Sequence, residues 1–127
     1  MEIKNVNRLY DNLVQDGKSD IQLLKLTSSS PGMILAELKP FSRLSAHYHR
    51  EGLEIYQIIA GIGTMELGHI QDDRVVWTES ISVSDGDVFE VPPFVVHRLS
   101  NESSHSLRII FFAPFEHLGN DRFFIKE

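Results

Sequence analysis

His47-Tyr48-His49-Arg50-Glu51-Gly52-Leu53-Glu54, continued by Ile55-Tyr56-Gln57-Ile58-Ile59-Ala60 to Gly61, decides how this chain is read. On an extended strand, residues two apart point to one side, so His47 and His49 offer two imidazoles to one point while Tyr48 and Arg50 face away. A turn at Glu51-Gly52 is expected to send the chain back antiparallel, with Glu54 reaching the same point from the neighbouring strand. A second segment begins at Gly86 and runs Asp87-Val88-Phe89-Glu90-Val91-Pro92-Pro93-Phe94-Val95-Val96-His97, with Asn101 beyond it. A strand, a proline-rich turn and a returning strand would carry His97 to the same wall. Neutral imidazole beside carboxylate suits a divalent transition metal such as Mn, Fe, Ni, Zn or Cu. The candidate ligands are therefore His47, His49, Glu54 and His97.

Outward from these segments the chain reads as all-β. Short runs rich in β-branched and aromatic residues alternate with turn signals, and no stretch holds a helical apolar period. The expected strands are 21–26, 33–38, 44–49, 54–60, 63–67, 75–78, 80–83, 87–91, 96–100 and 107–112. Between them lie Ser29-Ser30-Pro31-Gly32, Gly61-Ile62-Gly63, Gln71-Asp72-Asp73, Asp85-Gly86-Asp87 and Asn101-Glu102-Ser103-Ser104, all turn-forming. Closely spaced short strands imply a sandwich or barrel. Residues 5–15 fit either a short helix or an extra edge strand, and residues 116–127 could fold back over the barrel.

The composition narrows the functional classes. A chain of 127 residues suits one domain, 1–127, and shows no linker or repeat. The net charge of −6, with basic residues scattered singly, argues against a nucleic-acid partner. With no cysteine, thiolate metal sites are excluded and only His, Asp and Glu are left as strong ligands. The charged residues in 1–20 break up any signal-peptide core, and the most apolar stretch, 107–115, is too short to cross a bilayer. A cytoplasmic protein without a membrane partner is the expectation.

Both segments resemble the signature motifs of the cupin superfamily. The first motif, about 41–61, reads Gly, five residues, His-x-His, three or four residues, Glu, six residues, Gly; His47, His49, Glu54 and Gly61 match, with Phe41 in place of the opening glycine. The second, 86–101, reads Gly, five residues, Pro-x-Gly, two residues, His, three residues, Asn; Gly86, Pro92, His97 and Asn101 match, with Phe94 in place of the middle glycine. Phenylalanine does not reach positive φ as cheaply as glycine, so the turn after Pro92 is expected to take another form. The resemblance implies a double-stranded β-helix, a jelly-roll barrel of two facing antiparallel sheets with the metal inside. It also implies a homodimer and a small-molecule ligand or substrate. Relatives with this ligand set act as dioxygenases, decarboxylases, or sugar isomerases or epimerases, while others only bind a sugar or small organic acid. Fold does not choose among these, and no catalytic residue is assigned.

The remaining candidates have plainer expected roles. His69 and His105 sit beside turns and His117 in the C-terminal tail, which suggests solvated surface. Tyr56, Ile58 and Ala60 share the face of Glu54 by alternation. Met33, Leu35 and Glu37 are expected to line another wall, and Phe89, Phe111, Phe112 and Phe115 to pack in the core.

Overall fold

Alternating apolar residues across short strands need a second sheet to bury them. The computed structural model, which describes all 127 residues, supplies it. In chain order the strands are β1 (Val14–Gln15), β2 (Gln22–Lys25), β3 (Met33–Leu38), β4 (Ser42–Arg43), β5 (His47–Tyr48) and β6 (Glu54–Ala60). They continue as β7 (Ile62–Gln71), β8 (Arg74–Ser84), β9 (Val88–Val91), β10 (Val96–Asn101), β11 (Leu107–Phe112) and β12 (Phe123–Phe124). One antiparallel sheet has the order β1-β2-β3-β11-β6-β9; the other has β12-β5-β10-β7-β8, with β4 beside the far end of β10. The facing sheets form the double-stranded β-helix of the cupin fold. No helix is long and apolar enough to cross a membrane.

The main core lies between the sheets, where Ile34, Leu38, Tyr56, Ile58, Leu99 and Ile109 are nearly sealed from solvent. A smaller cluster of Leu26, Leu35 and Ile110 lies on the outside of the first sheet, beneath Val6, Leu9, Tyr10 and Leu13. This second layer overturns one expectation. On β3 the barrel-facing residues are Ile34, Ala36 and Leu38, whereas Leu35 packs outward under the N-terminal segment with Met33 beside it. Both faces of β3 are covered, so alternation of hydrophobicity could not tell inside from outside. Phe112 likewise packs in the outer cluster, while Phe89, Phe111 and Phe115 join the main core.

Other differences are local. The two runs expected at 75–78 and 80–83 are one strand, β8, in which Thr78 is an extra residue opposite Leu67 and Gly68. Thr78 Oγ1 donates to the Leu67 carbonyl at 3.2 Å, and a Cβ on Gly68 would strike the Val76 carbonyl. A bulge therefore breaks the period without ending the strand. The run expected at 44–49 is interrupted between β4 and β5, where the Ala46 carbonyl accepts from Ile125 of the C-terminal segment. Residues 5–15 contain both expected alternatives: two short 3-10 turns, Val6–Arg8 and Tyr10–Asn12, and then the edge strand β1. The C-terminal residues do fold back, with β12 pairing with β5.

Candidate metal centre

The four expected ligands meet at one end of the barrel, all buried. His47 on β5 lies directly opposite His97 on β10 in the second sheet. Glu54 begins β6 in the first sheet, paired with Val91. The expectation that Glu54 sits on a strand beside the histidines is thus corrected: the turn at Gly52, where φ is 80°, carries the chain from one sheet to the other. The donors converge across the sandwich, because each motif loop crosses between the sheets.

The histidine tautomers follow from their partners. His47 Nδ1 donates to the Ser45 carbonyl at 2.9 Å, His97 Nδ1 to the Val95 carbonyl at 3.0 Å, and His49 Nδ1 to the Asp121 carbonyl at 2.5 Å. A carbonyl can only accept, so Nδ1 carries a proton in each ring, and in the neutral form of each ring the lone pair is on Nε2. The Nε2 atoms of His49 and His97 are buried with no hydrogen-bond partner. His49 Nε2 lies 3.1 Å and His97 Nε2 3.6 Å from the Glu54 carboxylate. These two nitrogens and the carboxylate face a common point, where a cation would meet all three. Candidate ligand atoms of His47, His49 and His97 lie within 4.8 Å of one another, as do those of His49, Glu54 and His117. The donor set present therefore fits a divalent metal ion. Burial, followed by the nearby His97 ring, depresses the His47 pKa to about 3. That keeps its imidazole neutral and available as a ligand.

His117 contradicts the surface role expected of it. The 3-10 turn Phe115–Leu118 buries its ring, which lies flat on His49 with centroids 3.9 Å apart and planes 2° apart. Its Nδ1 faces Glu54 Oε2 at 3.1 Å and its Nε2 faces the Glu51 carbonyl at 2.5 Å. Both neighbours are acceptors, so both nitrogens donate and the ring is an imidazolium. Burial works against that charge, but Glu54, the Glu51 carbonyl and Asp121 overcome it and raise the pKa. Burial likewise opposes the Glu54 charge, and the His117 contact leads the interactions that hold its pKa well below the ordinary carboxylate range. In this arrangement His117 acts as a hydrogen-bond donor to Glu54. No spacing rule connects it to the motifs; the only sequence signal was a histidine in a tail expected to fold back.

The same tail completes the frame. The Asp121 carboxylate accepts from the backbone N–H groups of Arg50 and Glu51 at 2.7 and 3.0 Å, fixing the turn between His49 and Glu54. On the opposite side, Phe94 N–H donates to the His49 carbonyl at 2.8 Å. Phe94 adopts φ 66° and Phe41 φ 57°, so the backbone keeps the left-handed turns that glycine would have made. The expectation of a different turn fails because both rings are more than half exposed, Phe94 stacking only on Tyr48 at 6.2 Å between centroids. The backbone strain, on the order of 1–2 kcal/mol each, is tolerated. Asn101, last in the second motif, is structural: its buried Nδ2 donates to the carbonyls of Leu38, Lys39 and His105.

Above the centre lies a cavity of about 40 Å3, whose apolar walls include Ile21, Leu23, Ile34, Leu44, Phe111 and Leu118. Tyr56 also lines it; burial, and then the Glu54 charge, raise its pKa well above the usual phenol value. Its hydroxyl stays protonated.

A family model described as the polysaccharide biosynthesis C-terminal domain matches residues 19–122. The chain belongs to that family. In structure it is similar to a double-stranded β-helix domain protein from Klebsiella pneumoniae, with a TM-score of 0.68, 16% identity, and 100% of this chain and 99% of that chain covered. It is also similar to the capsular polysaccharide assembling protein CapF from Staphylococcus aureus, with a TM-score of 0.69 and 18% identity over 91% of this chain. There it spans only 34% of the longer protein. A predicted oxalate decarboxylase from Thermotoga maritima gives a TM-score of 0.62 and 19% identity, covering 74% of this chain and 79% of that one. No curated protein matches the sequence. At these identities the structural matches establish the cupin fold and leave the chemistry to the site itself.

Proposed function

We propose that this protein is a metal-dependent cupin enzyme acting on a small metabolite, with one divalent metal ion held by His47, His49, Glu54 and His97. One observation carries the reading: three Nε2 lone pairs and a carboxylate converge while backbone carbonyls hold every Nδ1 proton. When bound, such an ion (Mn, Fe, Ni, Zn or Cu) supplies a Lewis-acid or oxygen-activating centre, suited to a dioxygenase, decarboxylase or isomerase reaction. The chain's own residues do the rest. The backbone carbonyls orient the imidazoles, His117 holds one oxygen of Glu54, the apolar walls keep water out, and Tyr56 offers a neutral O–H within the cavity. Four protein donors leave roughly one or two positions of a five- or six-coordinate ion for substrate.

The experiment loads chelator-stripped protein with each metal, measures bound ion, and then follows oxygen uptake and candidate small molecules by mass spectrometry. About one ion per chain is expected, lost in a His47→Ala, His49→Ala double variant. Equal metal in both proteins overturns the assignment. A second reading, a non-catalytic module that binds a sugar or small organic acid, draws support from the family match and from CapF. It predicts that every stabilising compound is recovered unchanged. A homodimer in the cytoplasm belongs to the proposal as well, tested by light scattering and cell fractionation.

A further inference from the structure

Four buried side-chain polar atoms have no hydrogen-bond partner: Tyr10 Oη, His49 Nε2, His97 Nε2 and Arg122 Nε. The two histidine atoms belong to the metal centre. Arg122 does not, yet it lines the same cavity with a side chain only 6% exposed. Its Nη1 and Nη2 donate to the Asp16 carboxylate at 2.7 and 3.1 Å, and Nη2 also reaches the Leu118 carbonyl at 3.2 Å. Among the guanidinium nitrogens only Nε has no partner, and an unanswered buried donor beside a cavity is rare. We propose that the cavity takes a short aliphatic carboxylic acid, its carboxylate received by Arg122 Nε–H and its apolar body lying against Leu23, Ile34, Leu44 and Leu118 toward the metal centre.

Size favours this class over a sugar. A space of 40 Å3 holds about three waters, so a compact ligand enters without rearrangement and a hexose does not. Asp16 sets the strength of the anchor: it holds the guanidinium in place and offsets its positive charge, so the acid is met by a directed donor more than by a free cation.

The inference rests on the proposed function only in that the far end of the acid faces the histidine cluster. The test titrates isobutyrate, isobutanol and glucose into zinc-loaded and metal-free protein by calorimetry, with zinc affinity measured separately. Isobutyrate is expected to bind, and isobutanol and glucose not to. Arg122→Gln should weaken isobutyrate by about tenfold or more, while Asp16→Asn, which leaves the guanidinium uncompensated, should strengthen it several-fold. Zinc affinity should stay within about twofold in both variants. A merely structural clamp predicts the same sign for both substitutions, so Asp16→Asn decides even where Arg122→Gln fails to fold. Isobutyrate binding that is unchanged in folded Arg122→Gln, or weakened in Asp16→Asn, overturns the proposal. Failure of zinc to bind, with isobutyrate still dependent on Arg122, would overturn the metal reading and leave the acid site standing.

Discussion

The two motif loops and the C-terminal segment surround the same centre, but they are built differently. In the motif loops two of the four candidate ligands are held by their own neighbourhood: His47 and His97 both donate to a carbonyl two residues earlier. The C-terminal segment, residues 115–125, works at long range. It holds His49 through the Asp121 carbonyl, Glu54 through His117, and the turn between them through the Asp121 carboxylate. The loops supply the four candidate ligands, and the tail fixes how two of them point. Ligands and the groups that orient them should therefore fail in different ways when removed.

The largest effect is expected at the ligands. His97→Ala should lower metal affinity by more than the ~10–100-fold typical of an outer-shell partner, as read by competition with a fluorescent chelator. A smaller loss would show that His97 is not a ligand. His117→Ala should fall within that ~10–100-fold range, with part of the loss restored by His117→Asn, whose amide offers one donor to Glu54. If His117→Ala abolishes binding as fully as His97→Ala does, the division between ligand and orienting group collapses.

Acid should unfold the metal-free protein mainly through the motif side. His47 is depressed from 6.5 to about 3 when folded, so the unfolded chain binds more protons between those values. Stability is then fully present above about 6.5 and is lost as the pH falls toward 3, by up to ~5 kcal/mol for this group. Glu54, with its lowered pKa, adds a loss at lower pH still. His117 acts oppositely: its raised pKa gives stability that is present below 6.5 and disappears as pH rises through its folded value. Thermal melts of metal-free protein should fall from pH 7 to pH 4, and His47→Gln should flatten that slope. A wild-type melting temperature that rises on acidification would mean His117 outweighs the motif groups.

The smallest effect is expected at the glycine-replacing turns. Phe41 is 75% exposed at φ 57°, so Phe41→Gly should stabilise by about 1 kcal/mol or less, strain relief being partly offset by the freer unfolded chain. Chemical denaturation reads it, and a clear destabilisation would show that the ring has a packing role.

Much of this molecule was legible in order. Strands 54–60 and 107–112 are bounded as their β-rich composition and flanking turns suggest, because turn residues punctuate both ends of each. That His47, His49, Glu54 and His97 would come together was legible because His-x-His places two rings on one side and the spacing to Glu54 and His97 is kept. The inner face of β3 was hidden by the second apolar layer, and the course of the chain at Phe94 by a residue that takes a left-handed turn with its ring more than half exposed.

His117, Asp121 and Arg122 mark the boundary between sequence and structure. The chain's local order determined which atoms could bind a metal, since side-chain direction along a strand and the carbonyl two residues back are short-range geometry. Which carbonyl holds His49, which proton faces Glu54, and which donor is left open in the cavity depend on a segment some 70 residues away in sequence. Only closing the barrel brings that segment down on the site, because its place is set by pairing with β5 and by packing across both sheets.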